Sequence, residues 1–366
     1  MIFFPQSHIF PSPEPLLDRR RVYPLFLPFS GCTNRCAFCA QPAQTGTEPA
    51  DVQTALERAE RDLLERERES RPALDLAFFG GTFTALAPED LRACLDFAVR
   101  WQERGGIDRV RCSTRPDAVD ASLLASLKAA GFSLLELGVQ SFNDVALHAS
   151  GRSYRAADAK RACALVQSSG LELGIQLMPG LPGAGAGSTP ESAMRDVEEC
   201  AALAPSCARL YPCVVLEGTP LATVWRQGGY TPWSLEQALD FLGPASLALW
   251  RAGVPVIRMG LAQEAGLGEK VLAGPWHPDL GGMAKGLALH LYLRERILAL
   301  TPGDGPGSGL SLHAPGAWQG AFFGQRGSLE PLYAALGLPR KAIRWWDRDY
   351  FALTSGIPGR LRRSNP

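Results

Sequence analysis

Apolar and polar positions along this chain follow two periods, and the switches between them recur at regular intervals. The run Val22-Tyr23-Pro24-Leu25-Phe26-Leu27 is apolar with its proline early, as a strand start allows, and it leads into a polar, glycine-containing loop over 30–41. Residues 51–67 change to the helical period. Asp51 is placed to cap the first turn, and Leu56, Leu63 and Leu64 fall on one face. A buried strand follows over 74–79 and closes on Gly80-Gly81. Beyond it the pattern predicts helix 88–104, strand 108–113, helix 119–130, strand 133–139, helix 156–169, strand 171–178, helix 189–203 and strand 208–215. Strand–helix units at this spacing specify an α/β fold with a parallel sheet and right-handed crossovers. Six of them fit a partial (β/α)6 TIM-like barrel, in which chemistry sits at the C-terminal ends of the strands.

After residue 216 the pattern changes. Helix 234–252, a short strand over 254–259 and helix 284–300 are predicted, followed by a turn-rich linker over 301–309. Residues 310–354 hold short apolar pieces and the pair Trp345-Trp346, read as a small cap packed on the barrel; the basic tail 360–366 is predicted to be disordered. No repeat of fixed period occurs. The organisation expected is a leader over 1–20, a barrel over 21–216, barrel completion and substrate-side elements over 217–300, and a linker, cap and tail over 301–366.

Composition narrows the class. Hydrophobic residues make up 46% and charged residues 20%, enough apolar surface for a sizeable core. Lysine plus arginine equals aspartate plus glutamate at 37 each, which does not suit a surface built throughout to grip phosphates. A local patch remains available in Arg340, Lys341, Arg344 and Arg348 with Trp345 and Trp346. Nine cysteines, an odd number without a paired framework, point to a reducing cytoplasm. Prolines at 5, 11 and 13 and the lack of a basic start argue against a signal peptide, and no apolar stretch of about 18 residues predicts a membrane span.

The chemistry is concentrated in Ser30-Gly31-Cys32-Thr33-Asn34-Arg35-Cys36-Ala37-Phe38-Cys39. Three thiolates spaced this way on one loop can converge on one metal centre, and iron–sulfur clusters are held by such runs. The next cysteine, Cys94, is far along the chain in a helical pattern, and His8 lies among prolines. A structural zinc site wants four protein ligands. Three ligands on a four-iron cube leave one iron open to bind and activate something. Cys94, Cys163 and Cys200, on helices among alanines and leucines, read as core. Cys207 and Cys213 read the same way, with an auxiliary centre or a radical relay as the alternative.

Cys-x3-Cys-x-aromatic-Cys after a hydrophobic strand, with Phe38 in the aromatic slot, resembles the signature of the radical S-adenosylmethionine enzymes. Further matches follow in order: Phe79-Gly80-Gly81-Thr82-Phe83-Thr84, Ser113-Thr114-Arg115-Pro116-Asp117, Glu136-Leu137-Gly138-Val139-Gln140-Ser141 and Gln176-Leu177-Met178-Pro179-Gly180-Leu181-Pro182-Gly183. Together they resemble the radical domain shared by the Elongator catalytic subunit and oxygen-independent coproporphyrinogen oxidase, closely over 20–220 and more loosely over 254–285, with wording nearer the Elongator branch. The resemblance implies a [4Fe-4S] cluster on Cys32, Cys36 and Cys39 and S-adenosylmethionine as cofactor. It implies that Gly80, Gly81 and Thr82 receive the methionyl amino group. Gln140 and Arg152 would contact ribose and carboxylate, with Ser113, Arg115 and Gln176 as further contacts.

In the reaction so implied, the reduced cluster passes one electron to the sulfonium. The products are methionine and a 5′-deoxyadenosyl radical, which takes a hydrogen atom from a substrate. An electron donor such as flavodoxin or ferredoxin is the expected partner. The substrate is not specified. One alternative is wobble-uridine modification of tRNA with a separate acyltransferase partner, since nothing over 220–366 reads as an acyl-donor site. Another is a cluster-dependent sensor or chaperone without catalysis. Heme synthesis fits less well, because Ala40 stands where that oxidase carries an extra cysteine. Arg258, Trp276 and His277 are expected to line the substrate cavity, since a tryptophan stacks on planar groups and a histidine hydrogen-bonds or moves a proton near neutral pH.

Overall fold

Seven strands lie side by side, all parallel and in chain order: β1 (Val22–Phe26), β2 (Leu74–Phe79), β3 (Ile107–Thr114), β4 (Phe132–Gln140), β5 (Glu172–Leu177), β6 (Cys207–Leu210) and β7 (Val256–Met259). The computed structural model describes residues 6–16, 20–47, 50–183, 189–264, 266–300 and 309–355. The sheet curls into the half-barrel expected from the strand–helix alternation, with 254–259 contributing a seventh strand beside the six units. Helices α1 (Val52–Arg68), α2 (Pro88–Glu103), α3 (Ala121–Ala129), α4 (Ala156–Ser168) and α5 (Pro190–Ala202) form the crossovers between β1 and β6.

Local signals explain these elements. Asp51 accepts from the Thr54 amide at 2.7 Å and starts α1, whose Leu56, Ala59 and Leu63 are buried; Leu64 is half-buried. Asp120 caps α3 through the Leu123 amide at 2.9 Å, and Thr189 caps α5 through the Ser192 amide. Pro24, which has no N–H to give, is tolerated because β1 is an edge strand. The strand expected over 208–215 is shorter. Pro212 interrupts it, and Val215–Leu216 pairs antiparallel with Val271–Ala273 instead. Cys94, Cys112, Cys163 and Cys200 are fully buried, as small hydrophobes.

The chain divides into two units, one of residues 16–238 and 252–278, the other of 1–15, 239–251 and 279–366. The second contains a four-stranded sheet in the order Gln6–Pro11, Tyr350–Ser355, Leu310–Pro315, Ile343–Trp346. Residues 6–11, read from the sequence as leader, are thus an edge strand closed by Pro11, a position proline suits. Phe10 stacks on Phe351 with ring centroids 5.6 Å apart, over a core that includes Trp318, Phe322 and Tyr333. Helix Leu280–Leu300 starts earlier than residue 284, and its Lys285 pairs with Glu14 at 2.5 Å. Trp345 points into this core against Phe322, whereas Trp346 stacks with His313 on the other face. Arg340 lies over Phe323 at 4.2 Å and pairs with Glu330, so the basic–aromatic residues 340–348 do not share one surface. Most of the expected linker (301–308) and the whole of the tail lie outside the described residues. Among the described residues no helix is long and apolar enough to cross a membrane.

Candidate active site

A cavity of about 900 Å³ runs along the inside of the half-barrel and is lined by residues of one unit. Its upper end lies at the strand C-termini, where the cysteine loop leaves β1. Leu27 extends the β1–β2 pairing by donating to the Phe79 carbonyl at 2.8 Å, and the loop then turns through Ser30 N to Leu27 O and Cys32 N to Phe29 O. It is clasped by the loop after β2. Gly81 has φ +60°, and a Cβ there would lie 2.1 Å from the Ser30 carbonyl; one on Gly31, at φ +72°, would lie 2.3 Å from the Thr82 carbonyl. No other residue type fits either position. The Thr82 amide donates to Ser30 O at 2.8 Å, and Gln41 Oε1 accepts from both the Gly81 and Phe29 amides. The Gly80-Gly81 pair therefore serves first to seat the cysteine loop.

Cys32, Cys36 and Cys39 all line the cavity, Cys36 buried and the other two half-buried. Cys32 Sγ lies 3.3 Å from Thr82 Oγ1. Burial, followed by the neighbouring Cys36 and Cys32 sulfurs, pushes the Cys39 thiol up to about 12. A bare thiolate is thus disfavoured at Cys39, and a cationic metal centre reverses that preference.

Phe38, within the loop, is buried in an apolar cluster with Met178 and Leu181, and the Arg152 guanidinium stands 5.7 Å from its ring and 5.7 Å from that of Tyr154. Arg152 Nε is buried with no partner. Arg115 follows β3; Asp117 takes its Nε and Nη2 at 2.9 and 2.6 Å, Ser153 shares Nη2, and Nη1 is left buried and unpaired. Ser113, on β3, lines the same cavity.

Gln140 ends β4 in the left-handed region, with φ +68°, and is 2% exposed. Such backbone in a residue with a side chain costs about 1–3 kcal/mol and persists only where its surroundings enforce it. Here the Gln140 carbonyl accepts from Met178 N at 2.7 Å. The next two residues are tied to Asp196, which accepts from Ser141 Oγ at 2.6 Å and Phe142 N at 2.7 Å. Burial raises the Asp196 carboxyl to about 6. Gln176 Nε2 donates to Gln140 Oε1 at 3.1 Å, so the two amides form one polar shelf in the cavity wall.

The three substrate-side residues of the sequence reading separate. Arg258, on β7, lines the cavity; Trp276 and His277 do not. The Val271–Ala273 ribbon carries Trp276 onto an apolar cluster of Val214, Leu216 and Leu267, where the indole lies against Gly268. Sequence reasoning also passed over Arg109, Arg111, Glu136, Glu172, Arg209 and Tyr211, which line the wall below the loop. Their signal is the alternation in Arg109-Val110-Arg111-Cys112-Ser113: Val110 and Cys112 are buried on the other face.

Comparison with known proteins agrees with this geometry. The model of the radical SAM superfamily matches residues 26–193, and that of the radical SAM C-terminal domain matches 205–286. A tRNA uridine(34) acetyltransferase of Methanocaldococcus infernus is 27% identical over 247 residues, 58% of this chain and 46% of that protein. The heme chaperone HemW of Haemophilus influenzae is 26% identical over 210 residues, 54% of this chain and 52% of that one. The chain thus spans about half the length of these curated relatives. The solved structure of the archaeal M. infernus Elp3 with an N-terminal deletion superposes with a TM-score of 0.55 at 22% identity, covering 75% of this chain and 63% of that one; the likeness is one of fold. With the two family models falling in order on the half-barrel and its cysteine loop, the chain belongs to the radical SAM superfamily.

Proposed function

We propose that this chain is a radical S-adenosylmethionine enzyme that holds a [4Fe-4S] cluster on Cys32, Cys36 and Cys39, binds S-adenosylmethionine beside it, and receives its substrate in the lumen of the half-barrel. Superfamily membership implies both groups. The observation that carries the assignment is the pair of buried, unpaired arginine donors, Arg152 Nε and Arg115 Nη1, in the cavity that bears the three thiols. A buried donor without a partner costs about 1–3 kcal/mol, and a ligand carboxylate meeting a guanidinium fork offsets that cost.

The thiols fit the cluster. Among the described residues no three His, Cys, Asp or Glu side chains gather as ligands of a single ion. A four-iron cube asks for something else, one thiolate on each of three irons with the fourth left open, which this loop of three spaced cysteines supplies. When bound, the cluster and cofactor supply one-electron cleavage of the sulfonium and a carbon-centred radical able to take a hydrogen atom. The chain's own residues bind, orient and shield. Arg152 holds the methionyl carboxylate, with Ser113 and Arg115 beside it. The backbone at Gly80, Gly81 and Thr82 takes the amino group. Gln140 and Gln176 meet the ribose hydroxyls, and Phe38 keeps water from the loop. Reduction calls for a one-electron donor of the flavodoxin or ferredoxin class.

Anaerobic reconstitution tests this reading. Four irons and four sulfides per chain are expected, with slow formation of 5′-deoxyadenosine on adding dithionite and S-adenosylmethionine. A cluster that forms but yields no 5′-deoxyadenosine with any reductant overturns the enzyme reading in favour of a cluster-dependent sensor or chaperone, which similarity to the heme chaperone supports. Similarity to tRNA uridine(34) acetyltransferases supports RNA as a further substrate candidate, acylated by a separate partner.

A further inference from the structure

The wall beneath the cysteine loop is charged, and its charges do not cancel. Arg109, Arg111, Arg209 and Arg258 line it against Asp75, Glu136 and Glu172, in a protein whose overall net charge is zero. Most of the pairing is internal. Glu172 accepts from Arg109 Nη2 at 2.7 Å, and Arg109 Nε donates to Ser133 Oγ at 3.2 Å. Glu136, 3% exposed, takes both prongs of Arg209, whose Nη1 donates to Tyr211 at 2.9 Å.

Arg111 receives what is left. Its Nη1 lies 3.8 Å from Glu136 Oε1, an oxygen that Arg209 Nη2 already holds at 3.1 Å. Its Nε is buried with no partner, and its guanidinium stands 5.6 Å from the Phe79 ring. Arg258, next to Arg209 in the sheet register, is exposed and makes no ion pair among the described residues. Of the other two acids in the lining, Asp75 has a buried, unpartnered Oδ1 and forms no ion pair among the described residues, and Glu264 lies against Gly46, just after the cysteine loop. The half-buried Arg111, its Nε unpaired, and the exposed Arg258 therefore face the lumen without an acid of their own.

We infer that Arg111 and Arg258 form an anion subsite that takes a carboxylate or phosphate group of the substrate. A planar guanidinium with a free edge suits the paired oxygens of either group. The inference rests on the reading of this cavity as the site of a radical enzyme and adds the class of substrate: a molecule presenting such an anion below the cofactor.

The reconstituted holoenzyme, saturated with S-adenosylmethionine so that Arg152 is occupied, is titrated calorimetrically at low salt with inorganic pyrophosphate and, separately, with succinate. Saturable binding of at least one is expected, and which one binds tells phosphate from carboxylate. Arg111→Gln and Arg258→Gln should each weaken that binding at least about 5-fold and leave cofactor affinity unchanged. Arg100→Gln, on the outer helix α2, should change neither. If Arg111→Gln fails to fold, the exposed Arg258→Gln decides alone. No saturable binding of either anion, or binding indifferent to the substitutions made, overturns the inference. Failure of S-adenosylmethionine itself to bind defeats the cofactor reading instead, and the same titrations on the cofactor-free protein then decide the subsite by the same criteria.

Discussion

The two ends of the cavity are built on opposite principles. The upper end is made of loops whose shape is fixed by glycines that admit no Cβ and by a strained Gln140, and its polar groups are left incomplete: Arg115 Nη1 and Arg152 Nε have no partner. The lower wall is made of strands, its side chains are placed by the pleat, and its charges are mostly answered by one another, Arg209 by Glu136 and Arg109 by Glu172. A site that waits for a ligand and a wall that largely satisfies itself should respond differently to the same kind of substitution. Truncation above should cost ligand binding with little loss of stability. Below, it should cost stability first, with Arg111 the exception.

The largest contrast is among the cysteines. Cys39→Ala should abolish the cluster absorbance of the reconstituted protein almost completely, while Cys94→Ala, Cys163→Ala and Cys200→Ala leave it intact, because those three are packed in the core. Loss of absorbance in a core variant with retention in Cys39→Ala would break the comparison at its root. Next comes Glu136→Gln, which strips the counter-charge from a buried arginine. Removing one partner of a buried pair costs about 3–5 kcal/mol, read as a lower denaturation midpoint of the apoprotein. An unchanged midpoint would mean that the lower wall is not held by its ion pairs.

Arg152→Ala should show the reverse behaviour. It should weaken S-adenosylmethionine binding by about 1.5–3 kcal/mol, the worth of a charged hydrogen bond, and leave both the cluster and the denaturation midpoint in place. The smallest effect expected is a pH dependence at Asp196. Its carboxyl is raised from 3.8 to about 6, chiefly by burial, so the native state holds the proton more tightly than the unfolded chain. The stability this contributes is fully present below pH 4 and is lost as the pH rises through about 6. Asp196→Asn, which does not titrate, should flatten that part of the apoprotein's stability profile; identical profiles for the two proteins would remove Asp196 from the account.

What was legible in the sequence follows from the range of the forces involved. Helices and strands of the half-barrel could be read because burial writes a local period, as in Leu56 and Leu63 of α1, and the cysteine loop because its ligands are neighbours in sequence. The pairing of Gln6–Pro11 with Tyr350–Ser355 could not, since nothing local to either segment encodes a partner more than 300 residues away. The position of Trp276 was hidden for a related reason. Pro212 ends β6 early and frees Val215–Leu216 to hold the ribbon that carries the tryptophan away from the cavity. The charged lumen was half legible: the alternation along β3 marks Arg109, Arg111 and Ser113 as one face, but which arginine is left without an acid depends on three other strands. Nor does any local signal announce that Gln140 adopts a left-handed backbone, which Asp196 and Met178 support from elsewhere.

The most direct test of the central claim, that the loop end of this cavity binds S-adenosylmethionine at the cluster through Arg152, is the electron paramagnetic resonance spectrum of the dithionite-reduced holoenzyme with and without the cofactor. The account predicts that S-adenosylmethionine changes the cluster signal of the wild-type protein, and that at the same cofactor concentration the change is lost or much reduced in Arg152→Ala, whose cluster content is undiminished. A wild-type signal indifferent to S-adenosylmethionine, or a change equally large in the variant, would contradict it.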